Sequence, residues 1–247
     1  MSGQVRPNIE VFSEPSALAQ AAADLFVKTA CKALDTRGRF TVAVSGGRTP
    51  RLLFDCLVRL DEARSLPWSL CHIFWVDERY VPVTDPASNF KMANESLLKP
   101  LGVAQANIHR ISTEVDVEDT VAQYEAAIQS VFALKPGEVP QFDLIQLGMG
   151  ADGHTASLFP DSYEVDAERF VAWTVPPVAP HRRITLTPSV LQAASQLMVL
   201  LTGKDKAAML QMVFSGVEDP MKYPIQLVWP VLERVVWLMD EEAASEL

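Results

Sequence analysis

The sequence predicts an α/β protein, a doubly wound, mostly parallel, Rossmann-like sheet with helices on both faces. Three observations carry that expectation. Short apolar runs at 40–45, 70–76, 144–147 and 196–201 alternate with stretches of helical periodicity. The order is repeated strand then helix, the arrangement that builds parallel sheets. Glycine and charged residues gather just past several of those runs, where open α/β sheets hold their ligands. At 247 residues the chain has ample core for one such unit, and a single domain over 1–247 is expected.

The elements follow in order. Ile9 to Phe12 alternates like a short strand, and the turn at 13–16 leads into an amphipathic helix over 17–33, with Leu18, Ala22, Leu25, Phe26 and Ala30 at helical spacing and Gly38 as its stop. The β-branched run 40–45 is a strand, and Gly46-Gly47-Arg48-Thr49-Pro50 leads from it into a helix beginning near Pro50. Strand 70–76 delivers Asp77-Glu78-Arg79-Tyr80 at its carboxyl end, and His72 inside it reads as a packed or edge residue. A loop over 81–89 feeds a helix over 90–98, and 107–111 is a short strand. The acids at 115–119 suit the start of a helix running to 132, as a solvated face near a positive dipole end. Further strands are expected at 144–147, 168–175, 183–187, 196–201 and 234–239. A helix entry is expected at Thr187-Pro188, another helix begins within Thr202 to Ala207, and the acidic tail should fray.

Composition excludes several function classes. Lys plus Arg total 21 against 31 Asp plus Glu, a net charge of −10, which disfavours non-specific nucleic-acid binding. A small anion remains compatible, because a few focused cations can outweigh a distant acidic surface. Cys31, Cys56 and Cys71 form neither a metal-type pair nor a disulfide framework, so they read as small buried hydrophobes in a reducing compartment. The first residues carry no apolar signal core and no run approaches the ~18 residues of a membrane helix. A cytoplasmic protein with no membrane and no nucleic-acid partner is the expectation.

Four constellations carry candidate chemistry. In Ser45 to Thr49, glycine amides, two hydroxyls and a helix N-terminus could cradle a phosphate; a tight turn capped by Thr49 is the structural alternative. The run is neither a Walker loop nor a dinucleotide fingerprint. In the second, Arg79 could fork onto phosphate or carboxylate oxygens, or serve a structural salt bridge. Arg182 and Arg183 head a strand, and Gly203-Lys204-Asp205-Lys206 offers a second anion site. The fourth is 142–160: the strand Leu144-Ile145-Gln146-Leu147 is loosened at its exit by Gly148, Gly150 and Gly153, and Asp152 and His154 follow at once.

These blocks resemble the 6-phosphogluconolactonases, within the larger glucosamine-6-phosphate isomerase/6-phosphogluconolactonase group. The matching stretches are Ser45 to Pro50, Asp77 to Pro82 with Ser88-Asn89, Leu147 to Pro160, Arg183 to Thr187 and Gly203 to Ala207, in the family's order over most of the chain. Arg48 departs from it, standing where the family often has a small residue. The resemblance implies hydrolysis of 6-phospho-D-glucono-1,5-lactone to 6-phosphogluconate in the oxidative pentose phosphate pathway, without metal or organic cofactor. The expected partner is a phosphosugar lactone, with the chain a monomer or weak homo-oligomer.

His154 is then the candidate general base, since an imidazole's ordinary pKa of about 6.5 suits taking a proton from water and returning it. Asp152 either orients that imidazole or holds a substrate hydroxyl. Arg79 and glycine-loop amides are candidates for the oxyanion. Ser45, Gly46, Gly47, Arg48, Thr49, Arg183 and Lys206 are the phosphate set, with Asp77, Asn89, Gly150 and Gly153 as further substrate contacts. Arg48, Arg79, Arg182, Arg183, Lys204 and Lys206 stay open as to which meets the phosphate.

Three rivals define the contrast. The sister isomerase/deaminase typically reads Asn-Glu-Pro where this chain has Leu158-Phe159-Pro160, and Asp-Glu-Tyr where it has Asp77-Glu78-Arg79. A non-catalytic sugar-phosphate sensor should carry a helix-turn-helix or a basic face, and neither is visible. A serine hydrolase lacks its G-x-S-x-G elbow, and Ser157 follows His154 too closely for a triad.

Overall fold

The computed structural model describes residues 7–163, 169–178 and 180–247. Strand β1, Asn8–Phe12, precedes helix α1, Pro15–Arg37, which starts with a proline in its first turn and ends on Gly38 in the left-handed region at φ 70°. Then come β2, Phe40–Val44, α2, Arg48–Arg59, the short α3, Asp61–Arg64, β3, Cys71–Trp75 and β4, Asp77–Arg79. Helix α4, Asn89–Ala93, is capped by the Ser88 side chain, which accepts from the Lys91 N–H; the chain stays helical through a π turn into α5, Lys99–Leu101. After β5, Ile108–His109, come α6, Val117–Phe132, β6, Leu144–Leu147, β7, Val171–Thr174 and β8, Arg183–Leu186. The chain closes with α7, Pro188–Ala193, β9, Leu197–Leu201, α8, Ala207–Ser215, the 3-10 segment Pro224–Arg234 and β10, Val235–Asp240.

Seven strands form a parallel sheet in the order β1-β10-β9-β6-β2-β3-β5. From β2 the chain steps through β3 to β5 on one side, and from β6 through β9 to β10 on the other. The order therefore reverses between β2 and β6, the place where open α/β sheets leave a crevice past the strand ends. Every residue of β2, β6 and β9 is buried, which explains why these runs are almost wholly apolar. Trp75, Trp237, Phe26 and Phe74 are fully buried against the sheet, each contributing about 1.5–3 kcal/mol or more by area.

The parallel sheet, the α1 stop and the 144–147 strand match expectation. Three features do not. Asp77 to Arg79 is a strand of a second, three-stranded antiparallel sheet ordered β4-β8-β7, where the sequence marked only the carboxyl end of strand 70–76. The acidic tail is docked: the Glu241 N–H donates to the Phe12 carbonyl at 3.0 Å, and Ala243 is buried. The 3-10 segment was not foreseen, because two prolines and scattered apolar residues match neither the helix nor the strand period. Glu168, in the expected strand 168–175, and Ala179, in the proline-rich connection, lie outside the described residues. Among the described residues no helix is long and apolar enough to cross a membrane.

Candidate active site

The crevice between the β2 and β6 exits is fixed first by Gln146. Its side-chain oxygen accepts from the Ser45 N–H at 2.9 Å, and its backbone carbonyl accepts from the Ser45 hydroxyl at 2.8 Å. A fully buried glutamine inside an apolar strand thus ties the two exits together, and the Ser45 hydroxyl hydrogen is committed inward. Gly46 is required by a close approach: a Cβ there would overlap the side chain of Asn89. Asn89 in turn donates from Nδ2 to the Asp77 carbonyl at 2.8 Å, with Asp77 Oδ1 at 3.3 Å.

The β6 exit turns back on itself, with the Gly150 N–H donating to the His154 carbonyl at 2.8 Å and the Gly153 N–H to the Gly150 carbonyl at 3.1 Å. That turn sets Asp152 and His154 side by side, His154 Nδ1 lying 2.6 Å from Asp152 Oδ1. Burial pushes the Asp152 carboxyl up, but the hydrogen bond and charge of His154, with backbone N–H bonds, outweigh it and hold the group below the usual carboxylate range. The His154 ring packs on Phe159, centroids 4.8 Å apart. Its side chain is 32% exposed, enough for water to reach it.

The small sheet supplies the cationic wall. In the antiparallel pairing Asp77 faces Thr185 and Arg79 faces Arg183, so all four side chains share one face and Glu78 points to the other. Arg79 donates from Nη1 to the Ala87 carbonyl at 2.6 Å, while its buried Nε has no hydrogen-bond partner among the described residues. Arg183 donates to the His181 carbonyl at 2.6 Å. Burial and the neighbouring Arg79 charge lower its pKa against the opposing pull of Asp77 and Glu78. Two guanidinium groups held against one another in this way favour an anion between them. Asp77 is kept in place by the Ser157 hydroxyl, which donates to Oδ2 at 2.7 Å.

Glu78 anchors the loop from behind. Its carboxylate accepts from the N–H groups of Arg79, Asn89 and Phe90 at 2.8, 2.7 and 2.7 Å, and from the Ser88 hydroxyl at 3.2 Å. Burial raises its pKa despite those bonds.

A cleft of about 250 Å³ gathers Ser45, Gly46, Asp77, Arg79, Asn89, Gly150, His154 and Lys206 into one wall. Asp152 is attached through His154, and Arg183 through its pairing with Arg79. Gly47 and Arg48 open instead onto a neighbouring cavity, and Gly153 packs toward Met209 and Tyr223. The Thr49 hydroxyl meets the Thr202 hydroxyl at 2.7 Å, bracing the glycine loop on the β9 exit. The expected second anion site at 203–206 is filled from within: the Gly203 N–H donates to both Asp240 carboxylate oxygens at 3.0 Å. Lys206 reaches the cleft while pairing with Asp205 at 3.0 Å, and Lys204 is exposed. Arg182 lies over the Trp173 ring at 5.3 Å.

Sequence reasoning missed Gln146, Glu78 and Ser157 as organisers of the site. Gln146 had a legible signal, the one polar side chain in an otherwise apolar strand. Ser157 and Glu78 had none, since their partners lie 80 and 10 to 12 residues away in the chain.

The family model described as glucosamine-6-phosphate isomerases/6-phosphogluconolactonase matches residues 13–237. A 6-phosphogluconolactonase of Nostoc sp. is 36% identical over 245 residues, covering 98% of this chain and 99% of that protein. One from Synechocystis sp. is 36% identical over 243 residues, covering 98% of each. The solved structure of a 6-phosphogluconolactonase from Trypanosoma cruzi superposes with a TM-score of 0.84 at 27% identity, covering 98% of this chain and 97% of that one. On the extent of these matches, together with a cleft built at the β2–β6 reversal, the chain belongs to the glucosamine-6-phosphate isomerase/6-phosphogluconolactonase family.

Proposed function

We propose that the protein hydrolyses 6-phospho-D-glucono-1,5-lactone to 6-phosphogluconate, with His154 activating water. The observation that carries the mechanism is the His154–Asp152 pair, 2.6 Å apart at the cleft wall. A carboxylate on Nδ1 holds that nitrogen's proton and leaves Nε2 unprotonated, with its lone pair free to accept a proton from water. The attacking oxygen bonds to the lactone carbonyl carbon as its proton passes to Nε2. The tetrahedral oxyanion is met by Arg79, whose side chain lines the cleft beside His154. Collapse breaks the bond between that carbon and the ring oxygen, and the imidazolium returns its proton to the ring oxygen as it becomes a hydroxyl. The products are the acid and a restored imidazole.

The phosphate of about −1.5 to −2 charge is assigned to the glycine-loop amides, Arg183 and Lys206, with Arg48 at the rim. Asp77, locked by Ser157 and Asn89, is oriented to accept from sugar hydroxyls. The sister reaction, ring opening and deamination of an amino sugar phosphate, needs an acid beside the histidine. Here Phe159 takes that flank, its ring 4.8 Å from that of His154, which favours the lactonase. The test is a rapid assay on freshly generated 6-phosphogluconolactone with the non-phosphorylated lactone as control. Turnover of the phosphorylated lactone only is expected; ammonia release from glucosamine 6-phosphate without lactone hydrolysis would overturn the reading.

A further inference from the structure

Next to the catalytic cleft lies a larger cavity, of about 510 Å³. Its wall carries four cations, Arg48, Arg51, Arg79 and Lys91, against two acids, Asp55 and Glu95, a local reversal of sign in a chain of net charge −10. The acids offset only part of it. Arg51 Nε stands 4.0 Å from Asp55 Oδ2 with both side chains well exposed, a pairing that water largely screens. Lys91 spends one of its three donors on the Thr84 carbonyl at 2.9 Å, and Arg79 spends Nη1 on the Ala87 carbonyl. Four cations around one concavity repel one another, and that repulsion is relieved by an anion.

The two cavities are not independent. Arg79 and Asn89 line both of them, so an anion seated here reaches the same Arg79 that lines the cleft of His154. The cleft of about 250 Å³ already has cations of its own in Lys206 and, beside Arg79, Arg183. A single phosphate engages one or two guanidinium forks. Four cations spread around twice the cleft's volume suit a ligand with two linked anionic centres.

We propose that this annex is a separate binding site for a multivalent phosphorylated anion of the diphosphate class, which bridges Arg51 and Lys91 to Arg48 and Arg79. Its occupation draws Arg79 away from the reacting carbonyl and slows turnover. The inhibitory consequence rests on the lactonase reading; the binding does not.

The test uses pyrophosphate as probe, with orthophosphate for comparison, titrated calorimetrically into the wild-type protein and an Arg51→Ala/Lys91→Ala double variant. Both substituted side chains lie at the surface and outside the machinery assigned to the reaction. Pyrophosphate is expected to bind the wild type at least tenfold more tightly than orthophosphate and to remain bound when 6-phosphogluconate saturates the cleft. The double variant should lose about tenfold in pyrophosphate affinity while its kcat and KM for the lactone stay within twofold. Undiminished binding to the variant, or complete displacement of pyrophosphate by 6-phosphogluconate in the wild type, overturns the proposal. So does a raised KM in the variant, which would make the annex part of the lactone's own site. A wild type that binds pyrophosphate in this pattern yet fails to hydrolyse the lactone would sink the lactonase reading and leave the annex standing.

Discussion

Replacing Gly150 by Ala should separate catalysis from stability. A Cβ at this position would overlap Nδ1 and Cε1 of His154 and Oδ1 of Asp152, each about 1 Å or more inside the contact distance of roughly 3.5 Å. Gly150 is not among the glycines at positive φ, so alanine is tolerated by the backbone and even stabilises through the unfolded chain by about 0.4–1 kcal/mol. The overlapped atoms belong to side chains that are 32% and 47% exposed, and both can swing outward at little cost. The fold therefore survives with a melting temperature within a few degrees of wild type. The dyad does not keep its place, and a displacement of about 1 Å at reacting groups costs on the order of 10² in rate. Steady-state hydrolysis of the lactone, paired with thermal unfolding, reads both quantities. Wild-type kcat/KM in a folded Gly150→Ala protein would refute the reasoning that this turn exists to seat the dyad.

Asp152→Asn should lower kcat by about 10² to 10⁴ with KM unchanged, because an amide can no longer fix the imidazole tautomer; a raised KM with kcat preserved would assign Asp152 to a substrate hydroxyl instead. Because the native carboxyl sits below its ordinary range, the stability it contributes is complete above the unfolded pKa and is lost only as pH falls through the lowered folded value. Glu78→Gln sets an amide against N–H and O–H donors that the carboxylate now accepts, at roughly 1–3 kcal/mol for each donor left unpaired. Calorimetry should show a melting temperature lower by about 5–10 °C, with a raised KM as Arg79 and Asn89 loosen; unchanged values of both would dismiss Glu78 as an anchor. At the sheet edge, His72 Nδ1 and His109 Nε2 lie 2.9 Å apart. Burial, then the neighbouring imidazole, lowers the His109 pKa to about 4. The unfolded chain then binds more protons between about pH 6.5 and 4, so stability falls as pH drops through that window. Urea midpoints for wild type and His109→Gln should converge below pH 5, and a constant gap across the window would contradict this.

The parallel sheet was legible because its central strands are buried on both faces and so are written as apolar runs such as Leu197 to Leu201. The helix stop at Gly38 was legible because only a left-handed residue closes α1 there. The antiparallel sheet was not: Asp77-Glu78-Arg79 has no apolar alternation, and its pairing with Arg183 to Thr185 depends on a residue more than 100 positions away. In the site, Asp152 and His154 announced themselves through local glycine spacing. The commitments of Ser45 to Gln146 and of Gly203 to Asp240 depend on contacts 101 and 37 residues apart, which local pattern does not encode. Arg48 was read with the phosphate set, while its side of the loop opens onto the adjoining cavity.

The central claim is that His154 moves the proton. Single-turnover hydrolysis of freshly generated 6-phosphogluconolactone by His154→Ala, with product affinity measured in parallel, tests it most directly. A fall of about 10² to 10⁴ in the hydrolytic rate with 6-phosphogluconate affinity within a few-fold of wild type is the predicted result. A near-wild-type rate in that variant would contradict the account.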